Sequence, residues 1–118
     1  MINNDKLSDD FLRGIEKIEE LFLNVGFKKV AFFKKGFAFY VEFKNNYSLV
    51  KINFGPADYQ LDFSICKSNR VFEFKDLLKV PKISEWIDEN RYIQIDCRNI
   101  VEELIWIFKL VVFSFDEI

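Results

Sequence analysis

The strongest constraint on the fold is an alternation of apolar and polar residues between residues 27 and 66. A period of two is typical of β-strands that bury one face, because successive side chains point to opposite faces of a sheet. Turn signals at Lys35-Gly36, at Asn45-Asn46 and in the sequence GPAD from Gly55 interrupt this alternation. The pattern therefore predicts an antiparallel meander of four strands at 27–34, 37–44, 47–54 and 59–66.

The second and fourth predicted strands have one strongly apolar face. In the second strand this face carries Phe37, Phe39, Val41 and Phe43, and the other carries Ala38, Tyr40 and Glu42. In the fourth strand it carries Tyr59, Leu61, Phe63 and Ile65, and the other carries Gln60, Asp62, Ser64 and Cys66. We expect helices to cover the apolar face.

The segment 8–25 predicts an amphipathic helix. Its apolar residues recur at steps of three and four, which forms one stripe: Phe11, Ile15, Ile18, Phe22 and Val25. Ser8 is the expected N-cap, and Gly26 can end the helix in the left-handed conformation. Gly14 costs a helix interior about 1 kcal/mol relative to alanine, so either packing compensates or another element approaches closely there.

The second half of the chain gives weaker patterns. VFEFKDLL, at 71–78, fits a short fifth strand that runs into a turn, and Pro81 is expected to begin a short helix over PKISEWIDEN. RYIQIDC, at 91–97, is expected to be extended. Residues 97–115 are apolar on nearly every side, which predicts a buried helix that starts near Asp96 or Asn99, although its second half would also suit a strand. This apolar run is too short for a membrane span and is broken by Lys109.

These elements predict a single α+β domain over residues 1–118. It combines an N-terminal helix, a four-stranded antiparallel meander, a short helix, and a long apolar C-terminal helix packed on one sheet face. The chain has fifteen Phe, two Trp and four Tyr residues, which either fill the core or leave apolar surface for a partner or a homodimer. Trp86, Trp106, Tyr40 and Phe113 are the aromatic residues of interest in this respect.

The residue types disfavour catalysis. The chain has no histidine, and it shows no glycine-rich phosphate loop and no metal-ligand spacing. We therefore predict no catalytic residue, no metal and no cofactor. The remaining acid–base candidates are Glu42 and Asp62, if their strands bring them together. Cys66 and Cys97 are expected to be reduced thiols, and the N-terminus has no secretory pattern, so we expect a cytoplasmic protein.

The charge is unevenly distributed. The formal net charge of −2 argues against strong nonspecific binding of nucleic acid. Both ends of the chain are acidic, whereas the middle is rich in lysine. Lysines such as Lys34, Lys35 and Lys44 would either guard the edges of an apolar sheet or form an electrostatic binding surface.

The segment KKGFAFYVEF, at 34–43, starts like the octapeptide of RNA-recognition domains. Lys35 to Phe39 match the pattern, but Tyr40 replaces its valine and Glu42 replaces its last aromatic. The positions that would stack on bases continue into Val41 and Phe43, so this face is expected to belong to the core.

The whole layout resembles small bacterial α+β immunity proteins of polymorphic-toxin systems. The resemblance is carried by the capped N-terminal helix, the Phe-rich meander, FKDLL, PKISEWI and the apolar closing helix. It implies a cytoplasmic protein that binds one toxin tightly and blocks it. Acidic residues of the first helix, or of the C-terminal third, would then suit a basic partner.

Three hypotheses follow. The first is a noncatalytic protein-binding module, most concretely an immunity protein. The second is a single-stranded nucleic-acid binder that uses the Lys-rich sheet region, and the third is a small-ligand binder or hydrolase with a pocket between sheet and helix. The candidate partner-binding residues are Tyr40, Glu42, Asp62, Glu102 and Glu103.

Overall fold

The computed structural model describes residues 4–55, 60–91 and 99–118. In chain order its elements are α1 (Asn4–Asn24), β1 (Lys28–Lys35), β2 (Ala38–Lys44), β3 (Ser48–Phe54), β4 (Leu61–Lys67), β5 (Arg70–Glu73), α2 (Phe74–Leu77), α3 (Pro81–Glu89) and α4 (Ile100–Phe115). Within these ranges no helix has the length and apolar character needed to cross a bilayer. Tyr59, Asp96, Cys97, most of GPAD and the predicted extended segment 91–97 beyond Arg91 lie outside the described residues.

The five strands form one antiparallel sheet in the order β1-β2-β3-β4-β5. The predicted meander is confirmed, and the short fifth strand that VFEFKDLL suggested is present as β5, so the four-stranded description of the sheet is one strand short. The turn expected after that strand is instead the helix α2. Ser68 and Asn69 form the two-residue connection between Lys67 and Arg70, with positive φ angles of 54° and 63°. Such angles match the twist of a tight hairpin, so β5 folds back directly onto β4.

The first two hairpin connections differ from the prediction in detail. Lys35 pairs with Ala38, so the first loop consists of Gly36 and Phe37 and lies one residue later than expected. Phe37 is consequently 79% exposed and does not belong to the apolar face. In the second connection the Asn45 side chain accepts hydrogen bonds from the backbone N–H groups of Tyr47 (2.8 Å) and Ser48 (2.6 Å). This side-chain turn orders the loop.

The inner face of the sheet holds the core. Phe39, Val41 and Phe43 of β2 are buried there, as the alternation predicts. α1 and α4 pack against each other, and their apolar residues join the same core as this face. The Phe11 ring stacks on Phe54 at 4.9 Å, and the Phe22 ring stacks on Phe43 at 4.5 Å.

The first residue of α1 tests the predicted N-cap. The helix begins at Asn4, so Ser8 lies inside it, and its prediction as N-cap is wrong. Leu7 packs against the core one turn before Phe11, which extends the apolar stripe beyond Ser8.

The predicted end at Gly26 is confirmed. Gly26 has a φ of 94°, and its N–H binds the Leu23 carbonyl at 3.1 Å, while the Phe27 N–H binds the Phe22 carbonyl at 2.9 Å. These paired bonds form a Schellman motif, and the edge-to-face contact of Phe22 with Phe27 supplies its usual apolar partner. Val25 falls in this turn and is 46% exposed, so its assignment to the buried stripe is wrong.

α4 is helical throughout, so the strand alternative for its second half is wrong. The helix begins after Asn99, whose side chain accepts a hydrogen bond from the Glu102 N–H at 3.0 Å. Near its other end the Lys67 ammonium donates to the carbonyls of Phe115 (2.6 Å) and Ile118 (2.7 Å). A cation at this end suits the helix dipole and ties α4 to β4.

Removing the Asn99 cap should destabilise the protein. We expect Asn99→Ala to lower the free energy of unfolding by about 1 kcal/mol, because the Glu102 N–H loses its side-chain acceptor. Urea unfolding measures this loss. Asn99→Asp retains an acceptor oxygen and should unfold like the unchanged protein. A loss as large as that of the alanine variant would show that the loss of the acceptor oxygen is not what destabilises the helix.

Candidate functional site

Large apolar side chains remain exposed on β1 and on the turn that follows it. Their exposed fractions are 53% for Val30, 38% for Phe32, 45% for Phe33 and 79% for Phe37. We call these four residues the β1 surface. A local concentration of exposed apolar side chains is typical of protein-interaction sites.

The position of β1 explains this exposure. The strand lies at the edge of the sheet, and in the described ranges only β2 pairs with it. Seven of its eight residues are exposed, with Ala31 half-buried. Lys29 pairs with Phe43 and Ala31 pairs with Glu42, which leaves Val30 as the extra residue of a β-bulge.

The two phenylalanines of β1 lie on opposite faces of the strand. Phe32 pairs with Val41 on the inner face, and its ring is 6.2 Å from the ring of Phe39. Phe33 pairs with Tyr40 on the outer face, where the two rings stack at 5.1 Å with an interplanar angle of 15°. A partner at this edge would therefore meet one aromatic ring on each side of the strand.

Lysines flank the apolar centre of β1 on both sides. Lys28 and Lys29 precede it, and Lys34 and Lys35 follow it. The Lys29 ammonium forms an ion pair with Glu19 of α1 at 3.0 Å. The ammonium of Lys34 lies 5.3 Å from the Phe39 ring centroid, which is cation–π distance. The β1 edge thus has an apolar centre between two positive ends.

Two of the predicted partner-binding residues lie on β2. Tyr40 and Glu42 are half-buried on the outer face of the sheet, with Glu42 directly opposite Lys51 of β3. Asp62 lies on the same face of β4, opposite Asn53. Because β3 lies between them, the carboxylates of Glu42 and Asp62 are roughly 10 Å apart or more, given a strand spacing of about 4.8 Å. The condition under which these two residues could act as an acid–base pair, that their strands bring them together, is therefore not met.

The other two predicted residues lie in the first turn of α4. Glu102 is exposed, whereas Glu103 is half-buried and faces a cleft that Asp62 also lines. The five candidates are therefore not brought together in one place: Tyr40 and Glu42 lie on β2, and Asp62 and Glu103 border the cleft.

This cleft is a cavity of about 830 Å³ between β4, the start of α2 and the helices α3 and α4. Phe63, Phe74 and Trp106 form its aromatic wall. The Trp106 ring lies 6.5 Å from that of Phe74, and its indole N–H donates to the Asn90 carbonyl at 2.6 Å. The small-ligand hypothesis would apply to this cleft.

None of the four aromatic residues of interest lies on β1. Trp86 packs against Trp106 and Phe113, with ring centroids 6.0 Å and 5.6 Å apart, and all three are half-buried against the core. Tyr40 is covered on one side by Phe33. The exposed apolar residues of β1 were missed by the sequence reasoning, which assigned β1 no special role.

The described residues hold no group of three His, Cys, Asp or Glu side chains that could bind a metal ion. Cys66 is a free thiol that is half-buried. It pairs with Leu49 of β3 and Val71 of β5, on the sheet face opposite the core, as its place in the alternation predicts.

Comparison of the chain with protein-family models, with curated proteins and with solved structures gave no match.

Proposed function

We propose that the protein is a noncatalytic protein-binding module that acts in the cytoplasm and docks its partner on the β1 surface. The most concrete form of this function is an immunity protein that neutralises a toxin by tight binding. The observation that carries the proposal is the exposure of Phe32, Phe33 and Phe37 together at one sheet edge. Aromatic residues are enriched at the buried centres of protein interfaces.

A protein partner suits this surface better than a single-stranded nucleic acid. Nucleic-acid-binding sheets stack successive bases on aromatic rings that share one face. Here the ring of Phe32 lies on the inner face and that of Phe33 on the outer face, so they cannot form one platform. Within the octapeptide, Phe39 and Val41 are buried in the core, so the Phe39 ring is not free to stack on a base. Its other phenylalanine, Phe37, is exposed but lies in the β1–β2 turn and not on the sheet face.

The β1 surface can be tested with a double variant. Phe33→Ser combined with Phe37→Ser removes two exposed rings without opening the core, since these side chains are 45% and 79% exposed. Tyr47→Ser is the matched control, because Tyr47 is 83% exposed in the β2–β3 turn. We expect the double variant to bind the partner at least tenfold more weakly, whereas the control should bind it normally.

The measurement is capture from host lysate with nuclease treatment, followed by affinity titration of the captured protein. Co-expression with that protein then tests immunity, since only variants with an intact β1 surface should relieve its toxicity. Equal binding by both variants would overturn the assignment of the surface. Recovery of nucleic acid that is lost at high salt would instead assign the protein to the second hypothesis.

A further inference from the structure

We propose that the outer edge of β1, with which no other described strand pairs, takes up an extended segment of the protein partner as an added strand, and that this segment carries carboxylates on both sides of an apolar centre. The inference rests on the proposed function and specifies how the β1 surface binds and what chemistry its partner offers.

The backbone of β1 supplies the first argument. An edge strand directs a row of unpaired N–H and C=O groups away from its sheet, and these groups can pair with another strand. β1 has eight residues, which makes it the longest strand in the described ranges. The bulge at Val30 interrupts the regular pairing near its start, but Ala31 to Lys35 pair with β2 in unbroken register. Five regular residues are enough to seat a short added strand.

The charges of β1 determine which strand fits. Two lysines stand at each end of the sequence KKVAFFKK, and its four central residues are uncharged. The charge of Lys29 is already balanced by Glu19 at 3.0 Å, so Lys28 supplies the positive charge of β1 at that end. Lys44 of β2 pairs with Lys28 and adds a further positive charge at that end. In an added strand the residues opposite the lysines are stabilised if they are acidic, since opposite charges across neighbouring strands attract. The central residues would face Phe32 and Phe33, which favours apolar side chains there.

The same charges argue against a second copy of this chain. Full antiparallel pairing of β1 with another β1 would place Lys28 opposite Lys35 and Lys29 opposite Lys34. Like charges directly opposite each other destabilise a strand pair. The lysines therefore protect the edge from self-association and leave it open to an acidic segment.

The opposite edge of the sheet does not offer the same site. β5 has four residues, and α2 follows it directly at Phe74. Short edge strands are one of the ways in which proteins prevent unwanted strand addition. Among the two edges of the described sheet, β1 is therefore the one suited to receive a strand.

A synthetic peptide can test the inference directly. The probe is the octapeptide Glu-Glu-Val-Ile-Val-Ile-Glu-Glu, which has two carboxylates at each end of an apolar, strand-forming centre. We expect it to bind and to slow hydrogen exchange of backbone amides in residues 28–35. The same peptide with N-methyl groups on alternate amides cannot complete a strand ladder, so its binding should be at least tenfold weaker. A peptide with Lys in place of Glu should bind at least tenfold more weakly as well.

A charge exchange provides the matched test on the protein. Lys34→Glu combined with Lys35→Glu should weaken binding of the Glu-ended peptide at least tenfold, and a peptide with Lys at the end that faces these positions should restore binding. The control is Lys79→Glu combined with Lys82→Glu, which changes the net charge equally at exposed positions around the α2–α3 turn. This control should bind the Glu-ended peptide as the unchanged protein does.

The outcomes separate this inference from the function on which it rests. If no peptide binds, or if the N-methylated peptide binds as well as its parent, strand addition is wrong, while a partner that depends on Phe33 and Phe37 would still support the proposed function. If no protein partner depends on these two rings, the proposed function itself fails. A β1-dependent dimer in sedimentation would assign the edge to a second copy and overturn the inference.

Discussion

Replacing Phe22 by alanine is expected to lower the free energy of unfolding by about 4 kcal/mol. Its ring is fully buried. The centroid of this ring lies 4.5 Å from the ring centroid of Phe43 in the sheet, 4.8 Å from that of Phe108 in α4 and 5.6 Å from that of Phe27. The substitution would leave a cavity where α1, α4 and the sheet meet, and these elements cannot close it without losing other contacts. Urea unfolding followed by tryptophan fluorescence measures the loss.

The next residue provides the control. Leu23 is 58% exposed, so Leu23→Ala removes an apolar side chain of the same helix without opening a cavity. We expect it to change the stability by at most about 0.5 kcal/mol. Similar losses in the two variants would mean that α1 does not present Phe22 to the core. Small domains have only about 5–15 kcal/mol of stability, so the Phe22 variant should be partly unfolded at modest urea concentrations.

The second large effect is expected at Gly14, where α1 and α4 approach each other. A Cβ atom at this position would overlap with Cδ1 of Leu104 and would lie 3.4 Å from the Cα of Val101. Leu104 is fully buried, so it has little room to move away. We expect Gly14→Val to lower the free energy of unfolding by about 3 kcal/mol, although valine favours a helix more than glycine does.

A double-mutant cycle tests whether this contact is the cause. Leu104→Ala alone creates a cavity and should cost about 3 kcal/mol, but in combination with Gly14→Val the new side chain partly fills the space. The double variant should therefore be more stable than the sum of the two losses predicts, by about 1 kcal/mol or more. Lys17→Val, on the exposed face of α1, is the control and should change the stability little. Strict additivity would exclude the proposed contact.

The sequence correctly predicted the buried faces of the elements in which the apolar pattern continues over many residues. The stripe from Phe11 to Phe22 and the alternation of β2 both predict buried faces that the structure has. For the glycine inside α1, the sequence left two explanations open, compensation by packing or the close approach of another element, and the structure shows the close approach of α4 at Gly14. The errors lie at the ends of elements, because Val25 and Phe37 continue the apolar period but fall in turns. Periodicity assigns a face to a residue only while the helix or strand continues.

The fifth strand shows a different limit. β5 has four residues, of which only Phe72 is buried, so it is too short to display a clear period. Its pairing depends on the positive φ angles of Ser68 and Asn69, and serine is not a residue that usually indicates such angles. Tertiary pairing with β4 determines this turn more strongly than the local sequence does.

The candidate site depended on information that one sequence does not contain. The alternation along each strand predicts that Tyr40, Glu42 and Asp62 point to the outer face of the sheet. Which residues lie beside them on the neighbouring strands depends on strand order and register, which the sequence alone does not show. For the same reason the exposure of Phe32 could not be derived, since its face is that of the buried Val41 and only its place at the sheet edge leaves it open. The signal in KKVAFFKK is that adjacent apolar residues lie between paired lysines, which is typical of an edge strand.

The strand order also has a consequence for synthesis on the ribosome. Every strand pairs with its neighbour in the sequence, so the nascent chain can complete the sheet as soon as β5 has emerged. α4 is made later, and until then only the shorter contributions of α2 and α3 add to the shielding of the core by α1 among the described helices. The growing chain therefore passes through a stage in which the core positions that α4 covers are open to water. Chaperones that bind apolar surfaces would act on it at this stage, before α4 closes over α1.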